Sequence, residues 1–363
     1  MPKPIAYGSR LIVRKQEPLN AEPPLDLLIS SFVTPAEAFY VRTHGTMPEL
    51  DTSKHRVRVC GLVSRELELG LEDLRRDFEP HVITATLECA GNRRDELSFV
   101  DEVEGTAWRQ GAIGTAVWRG TRLADVLLQA GCNGDDLHVA FEGADEVQKE
   151  GKRINFGGSI PLSKAKSREV LLAYEMNGTA LAREHGHPIR LVVPGYIGAR
   201  SVKWLQTISV QKEPSSNFFQ QKAYKLLPDD MDQSNLDWHA GLMLGELPVN
   251  SVICIPSDHS RLASRDVNVV GYAISSGGRS IDRVEVSGDD GRSWKIAELK
   301  SSQHWSWTIW HAQLELPPGE HEIVVRAWDS AAQTQPARLE DIWNFKGYVN
   351  NAWHRTKVTV AGP

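Results

Sequence analysis

The sequence predicts an α+β protein, in which a mixed α/β domain over residues 1–240 is followed by an antiparallel β-sandwich over residues 241–363. Its 363 residues, 41% of them apolar, are enough to fill two ordinary hydrophobic cores. Helical periodicities alternate with short β-branched runs in the first two-thirds, whereas period-2 alternation with frequent turns dominates from about residue 245. This change of pattern indicates two domains.

The first elements are predicted from local signals. Residues 34–37, Thr-Pro-Ala-Glu, form a capping-box pattern in which Thr34 caps a helix, Pro35 occupies its first position and Glu37 reaches back. Residues 39–44 should form a short strand. Residues 82–87 are rich in β-branched residues and contain no Gly or Pro, so they predict a longer strand.

The middle of the chain predicts one helix and two buried strands. Apolar residues recur at helical spacing over residues 123–130, with Thr121 as the expected cap and Gly131 as the stop. Residues 171–174 and 189–193 are short apolar runs bounded by turn residues, a pattern typical of buried strands.

The last third reads as a succession of short strands. Residues 267–274 alternate, with a bend or bulge expected at Gly271. Asp290-Gly291 predicts a hairpin turn, and a further strand is expected through Trp305 and Trp307, before the apolar run 323–325. Strands punctuated this often are typical of an immunoglobulin-like sandwich, although the Cys, Trp, Cys spacing of antibody domains is missing.

Composition excludes several classes of protein. The formal net charge is −6, with 41 basic and 47 acidic residues and no long block of one sign, so we expect no nucleic-acid or membrane partner. Residues 1–8 lack the apolar core of a signal peptide, and no apolar run of about 18 residues occurs, which predicts a cytoplasmic protein. The spacing of the four cysteines supports neither a zinc ribbon nor a disulfide framework: Cys60, Cys89, Cys132 and Cys254.

Residues 87–94, Leu-Glu-Cys-Ala-Gly-Asn-Arg-Arg, are the most informative stretch. They place Cys89 where the predicted strand passes into a loop, beside two small residues and two arginines. Nearby arginines favour a thiolate, which is the form that ligates metals. Ala90 and Gly91 would let a bulky ligand approach the backbone. The alternative is a buried structural cysteine.

A basic, glycine-punctuated segment extends over residues 183–204. Arg190, Arg200 and Lys203 could supply donors to a phosphate or another oxyanion. His185 and His187 could form a metal pair, but no nearby Cys, Asp or Glu completes a site, so a histidine that faces a cofactor or stabilises the fold is favoured.

Five motifs in the same order resemble the sulfite oxidase family, and the resemblance runs from about Phe39 to Arg355. It rests on the following segments: Cys89–Arg94, Trp108–Ile113, Tyr174–Gly178, His185–Trp204, and Trp343-Asn344 with Asn351–Arg355. The resemblance implies a molybdopterin-binding domain of sulfite oxidase type and a C-terminal immunoglobulin-like dimerisation domain. It also implies oxidation of sulfite to sulfate by oxygen-atom transfer.

The resemblance also implies residue roles. Cys89 would ligate molybdenum, a metal for which soft thiolate donors are suited. The residues implied to hold the pterin and its phosphate are Tyr40, Val41, Arg42, Thr43, His44, Asp145, His185, Arg190, Ser201, Val202 and Lys203. The residues implied to form the pocket for the substrate anion are Arg42, Arg94, Trp108 and Tyr224, with Lys346 at the place of a third arginine.

Two departures from the family pattern keep alternatives open. The family motif Trp-Asn-Leu-Arg-Gly reads Trp-Asn-Phe-Lys-Gly at residues 343–347, so Lys346 keeps the charge but loses the guanidinium fork. Nitrate or another oxo-compound is therefore an alternative substrate. The chain has no haem motif, so electrons would pass to a separate acceptor, for example a cytochrome. A homodimer is implied, and a noncatalytic interaction protein that lost the cofactor is a third hypothesis.

Overall fold

The structure is a computed structural model that describes residues 10–362. The predicted outer domain limits, residues 1 and 363, and the N-terminal stretch 1–8 lie outside the described residues. The described α-helices are short: α1 (Leu25–Leu28), α2 (Leu71–Asp77), α3 (Arg94–Leu97), α4 (Leu123–Gln129) and α5 (Leu162–Ala165). No helix within residues 10–362 is long and apolar enough to cross a bilayer.

The first domain is built from small sheets. Its strands are β1 (Ile12–Lys15), β2 (Asn20–Glu22), β3 (Val41–Arg42), β4 (Val57–Gly61), β5 (Leu67–Leu69), β6 (Pro80–Glu88), β7 (Ile113–Arg122), β8 (His138–Lys149), β9 (Lys152–Pro161), β10 (Leu171–Met176), β11 (Thr179–Ala180), β12 (Arg190–Val192), β13 (Leu205–Gln211), β14 (Lys225–Leu226) and β15 (Leu242–Met243). Their orders are β1-β2-β3, β11-β10-β7-β6 with β12 also on β10, β5-β4-β13-β8-β9, and β14-β15. The strand predicted over residues 82–87 is confirmed within β6.

The second domain consists of two sheets. Its strands are β16 (Asn250–Ile255), β17 (Ser260–Leu262), β18 (Asp266–Ile274), β19 (Ile281–Ser287), β20 (Lys295–Ile296), β21 (Glu298–Ser302), β22 (Thr308–Glu315), β23 (Gly319–Asp329) and β24 (His354–Val360). One sheet has the order β16-β18-β22-β21 and the other β17-β24-β23-β19-β20. Pairing is antiparallel except for β17 on β24. Alternate apolar residues of both sheets fill one core, among them Val269, Val284, Trp310 and Val325.

The turn between β21 and β22 joins the two domains. The backbone carbonyl of Trp305 accepts a hydrogen bond from the Thr86 N–H at 3.0 Å, and the Trp307 N–H donates to the Thr86 hydroxyl at 2.8 Å. A Cβ at Gly195 would lie 3.0 Å from the Trp305 ring, so glycine is what allows this ring to pack there. The sandwich therefore supports β6 and the segment that follows β12.

Two local predictions are wrong because tertiary contacts override them. Thr34 does not cap a helix: its hydroxyl accepts a hydrogen bond from the Thr115 N–H at 3.1 Å, and only a 3₁₀ turn, Ala36–Ala38, follows. The strand predicted through Trp305 and Trp307 is a turn at Trp305, where φ is +70°, and β22 begins after Trp307.

Other predictions are confirmed in part. Helix α4 ends before Gly131 (φ +68°), as expected. Thr121 does not cap this helix, because its hydroxyl donates a hydrogen bond to the Leu74 carbonyl. Strand β18 runs unbroken through Gly271, and the irregularity lies on its partner β16. A Cβ at Gly271 would lie 1.9 Å from the Val252 carbonyl oxygen, so this glycine permits close strand approach. Asp290 and Gly291 both have positive φ, as the predicted turn requires.

Candidate cofactor and substrate site

Cys89 lies directly after β6, as predicted, and its side chain is 6% exposed. Its Sγ accepts a hydrogen bond from the Gly91 N–H at 3.5 Å, and its own N–H donates to the Ala112 carbonyl. Burial raises the pKa of the Cys89 thiol, and the positive charges of Arg42 and Arg94 offset this only in part. The thiolate expected from the sequence therefore needs a bound cation or ligand, because desolvation outweighs the arginines here.

A pocket that is partly open to solvent lies beside Cys89. Residues from β3, from the end of β6, from β8 and from the segment around β12 meet there. Ten residues predicted from the sequence line it: Tyr40, Arg42, His44, Cys89, Asp145, His185, Arg190, Ser201, Lys203 and Tyr224.

Residues 183–204, called the long loop below, form one side of the pocket. The Arg190 guanidinium donates to the carbonyls of His185 (3.0 Å) and Ser201 (3.1 Å), which ties the two ends of the loop together. The Lys203 ammonium donates to the Glu184 carbonyl at 2.7 Å. These bonds hold the buried Arg190 and the half-buried Lys203 against the pocket, and desolvation lowers the pKa of Lys203 to about 7 and that of Arg190 to about 10.

Two carboxylates beside these cations are buried with an unused acceptor. Among the described residues, neither Asp145 Oδ1 nor Glu184 Oε1 has a hydrogen-bond partner. Burial raises the pKa of Asp145 to about 6, while the charge of Lys203 lowers it. Buried polar atoms without partners are uncommon, so this end of the pocket is suited to a ligand with its own donors.

The histidines of the site are neutral. His44 stacks on Phe156 with ring centroids 4.2 Å apart, and its Nε2 lies 2.7 Å from the Tyr224 hydroxyl. Burial lowers the pKa of His44 well below its usual value and that of His185 to about 3. His187 bonds Thr52 outside the pocket, so His185 and His187 form no metal pair.

The residues predicted for the substrate anion are called the arginine side: Arg42, Arg94, Trp108, Tyr224 and Lys346. Arg42 and Tyr224 line the pocket. Tyr224 follows a π-helical turn, Phe219–Ala223, a rare element frequent at functional sites. Tyr348 stacks on Tyr224 with centroids 5.3 Å apart, and Arg94 lies over the Tyr348 ring at 4.9 Å.

Arg94 is 4% exposed and closely packed. Its Nε donates to the Lys346 carbonyl at 3.0 Å and one Nη to the Thr106 carbonyl at 2.9 Å. A Cβ at Gly91, Gly105 or Gly347 would come within 3 Å of the Arg94 side chain, so glycines make room for it. Gly91 was expected to admit a ligand, and its nearest neighbour is this guanidinium instead.

Arg94, Trp108 and Lys346 do not line the pocket. Trp108 is fully buried, and its Nε1 has no hydrogen-bond partner among residues 10–362. The Lys346 ammonium forms an ion pair with Glu104 and lies 5.1 Å from the Trp238 ring centroid. The predicted roles of these three residues at the anion stay predictions.

Three predicted cofactor residues contribute through the backbone or the core. Val41 is buried, the Val202 carbonyl accepts from the Leu191 N–H at 2.8 Å, and the Thr43 hydroxyl donates to the Leu19 carbonyl. Arg200, a candidate phosphate donor, bonds the Leu244 carbonyl outside the pocket.

Arg93, the other arginine near Cys89, contacts the second domain. It donates to Asn250 and to the Ala352 carbonyl.

Several residues at the site were missed in the sequence. Glu184, Phe156, Trp204 and Tyr348 carry no local pattern that distinguishes them from ordinary core or surface residues. Glu184 could have been noted because it lies between Arg183 and His185 in the basic segment. Tyr348 is brought in from the far end of the chain, and only the fold shows its place.

Family models match both parts of the chain. The model described as "Oxidoreductase molybdopterin binding domain" matches residues 44–219, and that described as "Mo-co oxidoreductase dimerisation domain" matches residues 242–361. The predicted boundary at residue 240 falls between these matches and stays a prediction.

Curated relatives extend this match over nearly the whole chain. Sulfite oxidase of Arabidopsis thaliana is 42% identical over 95% of this chain and 93% of its own length. The chain belongs to the sulfite oxidase family. Mitochondrial sulfite oxidase of Homo sapiens is 44% identical over 97% of this chain, which spans 66% of that protein. The recognition from motifs is confirmed.

A solved structure confirms the fold class. The sulfane dehydrogenase SoxCD from Paracoccus pantotrophus matches with a TM-score of 0.79 and 27% identity, covering 99% of this chain and 90% of that one. A molybdopterin-binding oxidoreductase domain followed by a sheet-rich dimerisation domain is therefore established, as is the predicted Mo-molybdopterin cofactor.

The pocket residues fit this cofactor. A phosphate would find Arg190 and Lys203, and pterin N–H groups would find the unused acceptors of Asp145 and Glu184. The Cys89 thiol provides a single soft ligand, which is what a metal held otherwise by dithiolene sulfurs needs. A bound metal cation would also favour the thiolate that burial disfavours.

Proposed function

We propose that this chain oxidises sulfite to sulfate and passes the electrons to a separate acceptor. The balanced reaction is SO₃²⁻ + H₂O → SO₄²⁻ + 2H⁺ + 2e⁻, and the acceptor takes up the two electrons. The observation that carries the proposal is the pocket that Cys89 shares with Arg42, Tyr224, Arg190 and Lys203. A chain with a net charge of −6 attracts an anion only through such a local cationic site.

The protein residues bind and orient the anion in this proposal. Nη1 of Arg42 donates hydrogen bonds to Asn20 Oδ1 and to the Thr43 carbonyl. The other N–H groups of the Arg42 guanidinium make no hydrogen bond within the described residues. These N–H groups are available to a sulfite oxygen. The Tyr224 hydroxyl lies 2.7 Å from His44 Nε2, and it is a second donor to the anion when His44 carries its proton on Nε2 and donates to the hydroxyl oxygen. Burial raises the pKa of Tyr224, so its proton stays in place at neutral pH.

The cofactor, when bound, supplies the oxygen-atom transfer and the two-electron redox chemistry. The protein keeps Cys89 and Arg42 in one pocket, and the rings of Phe39, Phe156 and Trp204 line its wall. A sulfite ion is strongly hydrated, so fixed donors must replace its water shell. Arg94, through Tyr348, supports the Tyr224 ring.

The test is an assay of protein produced in a host that makes the cofactor. Metal analysis should give close to one molybdenum per chain, and sulfite should reduce ferricyanide or cytochrome c with two electrons per sulfate formed. Nitrate, with a reduced viologen as electron donor, is tested on the same preparation. A molybdenum-loaded protein that turns over nitrate but not sulfite would reject the proposal.

Nitrate or another oxo-compound is the second candidate, and Lys346 is the residue that favours it. It takes the place of a third arginine, and its ammonium is paired with Glu104. The pocket therefore presents fewer guanidinium donors than the family pattern implies. A noncatalytic protein is the third candidate, and absence of molybdenum after production in a competent host would support it.

Four further properties are proposed with this function. The match to a dimerisation domain supports a homodimer, and light scattering at micromolar concentration measures the mass. The two packed sheets support an immunoglobulin-like description of the second domain. A cytochrome is the proposed electron acceptor, and the cytoplasm is the proposed compartment; fractionation with marker enzymes tests the latter.

A further inference from the structure

Strand β2 makes hydrogen bonds to residues at and near the site, although no sequence motif indicated a role for this strand. Its three residues, Asn20, Ala21 and Glu22, are all buried, which is unusual for an amide and a carboxylate on one short strand. Buried polar groups of this kind are retained where each has hydrogen-bond partners. The partners of Asn20 and Glu22 therefore show what the strand does.

Asn20 holds Arg42. Its Oδ1 accepts a hydrogen bond from Arg42 Nη1 at 2.9 Å and another from the Thr43 N–H at 3.2 Å. Its Nδ2 donates to the Pro18 carbonyl at 2.7 Å, which fixes the orientation of the amide. A flipped amide would place its NH₂ group against two donors, so only one orientation satisfies all three contacts.

Glu22 holds the segment that carries Trp108. Its two carboxylate oxygens accept hydrogen bonds from the backbone N–H groups of Arg109 at 2.9 Å and Gly111 at 2.8 Å. The next residue, Ala112, accepts from the Cys89 N–H at 2.9 Å. Glu22 is thus connected through one loop to the backbone of the metal-ligand residue.

We infer that Asn20 and Glu22 are positioning residues of the site, Asn20 for the Arg42 guanidinium and Glu22 for the loop that supports Cys89. This inference rests on the proposed function for its kinetic consequences. Asn20 occupies one edge of the Arg42 fork and leaves the remaining N–H groups for the anion. Without this acceptor the guanidinium has more rotamers open to it and binds the anion less well.

The first test removes the acceptor from Arg42. Asn20→Ala should lower kcat/KM for sulfite about tenfold, through KM, and weaken sulfate binding in calorimetry by a similar factor, because a hydrogen bond to a charged group is lost. Molybdenum content should stay unchanged, since Asn20 does not line the cofactor pocket.

The matched control is Asn177→Ala. Asn177 also uses both ends of its amide, accepting from the Val117 N–H and donating to the Thr34 carbonyl at 2.9 Å each, and it contacts no pocket residue through them. This variant should lose stability without a change in KM. An equal rise of KM in both variants, or unchanged sulfate affinity in Asn20→Ala, would overturn the inference for Asn20.

A double-mutant cycle separates positioning from general destabilisation. If Asn20 acts through Arg42, Asn20→Ala should change sulfate affinity less than twofold in an Arg42→Gln background. A full tenfold loss in that background would show that Asn20 acts by another route. Because sulfate binding needs no turnover, this readout remains valid even if the wild-type protein fails to oxidise sulfite and the proposed function is rejected.

Glu22→Gln tests the second contact. The new NH₂ group faces a backbone N–H, so the loop at residues 109–111 should shift and molybdenum content should fall several-fold. The two variants should differ in what they change: Asn20→Ala should lower the affinity for the anion, and Glu22→Gln should lower cofactor retention. Full molybdenum occupancy in correctly folded Glu22→Gln would reject this role of Glu22.

Discussion

The long loop and Arg42 of the arginine side both bring positive charge to one pocket, yet the two regions are built in different ways. The long loop holds Arg190 and Lys203 with carbonyl groups of its own segment, so it is a local structure. The arginine side is assembled from distant segments, since Arg94 bonds the carbonyl of Lys346, 252 residues away. The comparison shows that Arg190 and Lys203 are held by one segment of the chain, whereas Arg94 is held by segments from distant parts of the fold.

Cys89→Ser removes the residue that both regions face and should have the largest effect. We expect at least a 1,000-fold loss of sulfite turnover, because the hard hydroxyl is a poor substitute for a soft thiolate ligand. Circular dichroism and thermal unfolding should remain close to wild type. The same substitution at buried Cys254, away from the pocket, is the control for turnover. Retained activity in Cys89→Ser would reject the ligand assignment.

Lowering the pH should reduce the stability of the fold next to the arginine side through His354. The Nε2 atom of His354 lies 3.8 Å from a carboxylate oxygen of Glu96 in α3. Burial lowers the pKa of His354 to about 4, while Glu96 and Asp258 raise it and Arg93 lowers it. Its Nδ1 accepts the Ile253 N–H. The unfolded chain takes up the proton below about pH 6.5, so stability is lost as the pH falls from 6.5 to 4, by up to about 3 kcal/mol.

His354→Asn should flatten this part of the pH profile of the free energy of unfolding, measured by urea titration from pH 7 to 4.5. His239→Asn, at an exposed position, is the control and should leave the slope unchanged. Equal slopes in wild type and His354→Asn would show that another group causes the acid loss.

Lys203→Met removes one cationic contact of the long loop and does not alter the arginine side. We expect about tenfold weaker cofactor retention, measured as molybdenum per chain after dialysis, because a buried charge-assisted contact is lost and two carboxylates remain. Lys212→Met, on an exposed lysine, should keep full occupancy. Full occupancy in Lys203→Met would show that Lys203 does not hold the phosphate.

Gly347→Ala disturbs the packing of Arg94 on the arginine side and does not alter the long loop. The backbone φ is +58°, and the new Cβ would lie 2.6 Å from Cγ of Arg94. We expect a loss of about 2 kcal/mol of stability and a roughly fivefold higher KM for sulfite. Gly178→Ala has a similar φ of +78° but no atom within 4 Å, so it should cost about 1 kcal/mol with KM unchanged. Identical KM values in the two variants would separate Arg94 from anion binding.

Lys346→Arg should have the smallest effect. Since the ammonium is already paired with Glu104, we expect a less than threefold change in KM for sulfite. A tenfold gain in affinity would show instead that the guanidinium fork reaches the anion, and Lys346 would then account for altered specificity.

The same contrast explains what the sequence could predict. Cys89 after a strand and the basic long loop are set by neighbours in the chain, and the structure places them as expected. Thr34 and Thr121 have ordinary cap patterns, but distant partners on β7 and α2 take their hydroxyls. Asn20, Glu22 and Tyr348 were missed because their roles exist only through contacts with remote segments.

The turn at Trp305 and the ring of Tyr348 make the surroundings of the pocket depend on the last third of the chain. Trp305 packs at Gly195 of the long loop, and Tyr348 stacks on Tyr224. A polypeptide that ended near residue 240 would have the long loop without the ring that packs on Gly195, and Tyr224 without the ring that stacks on it.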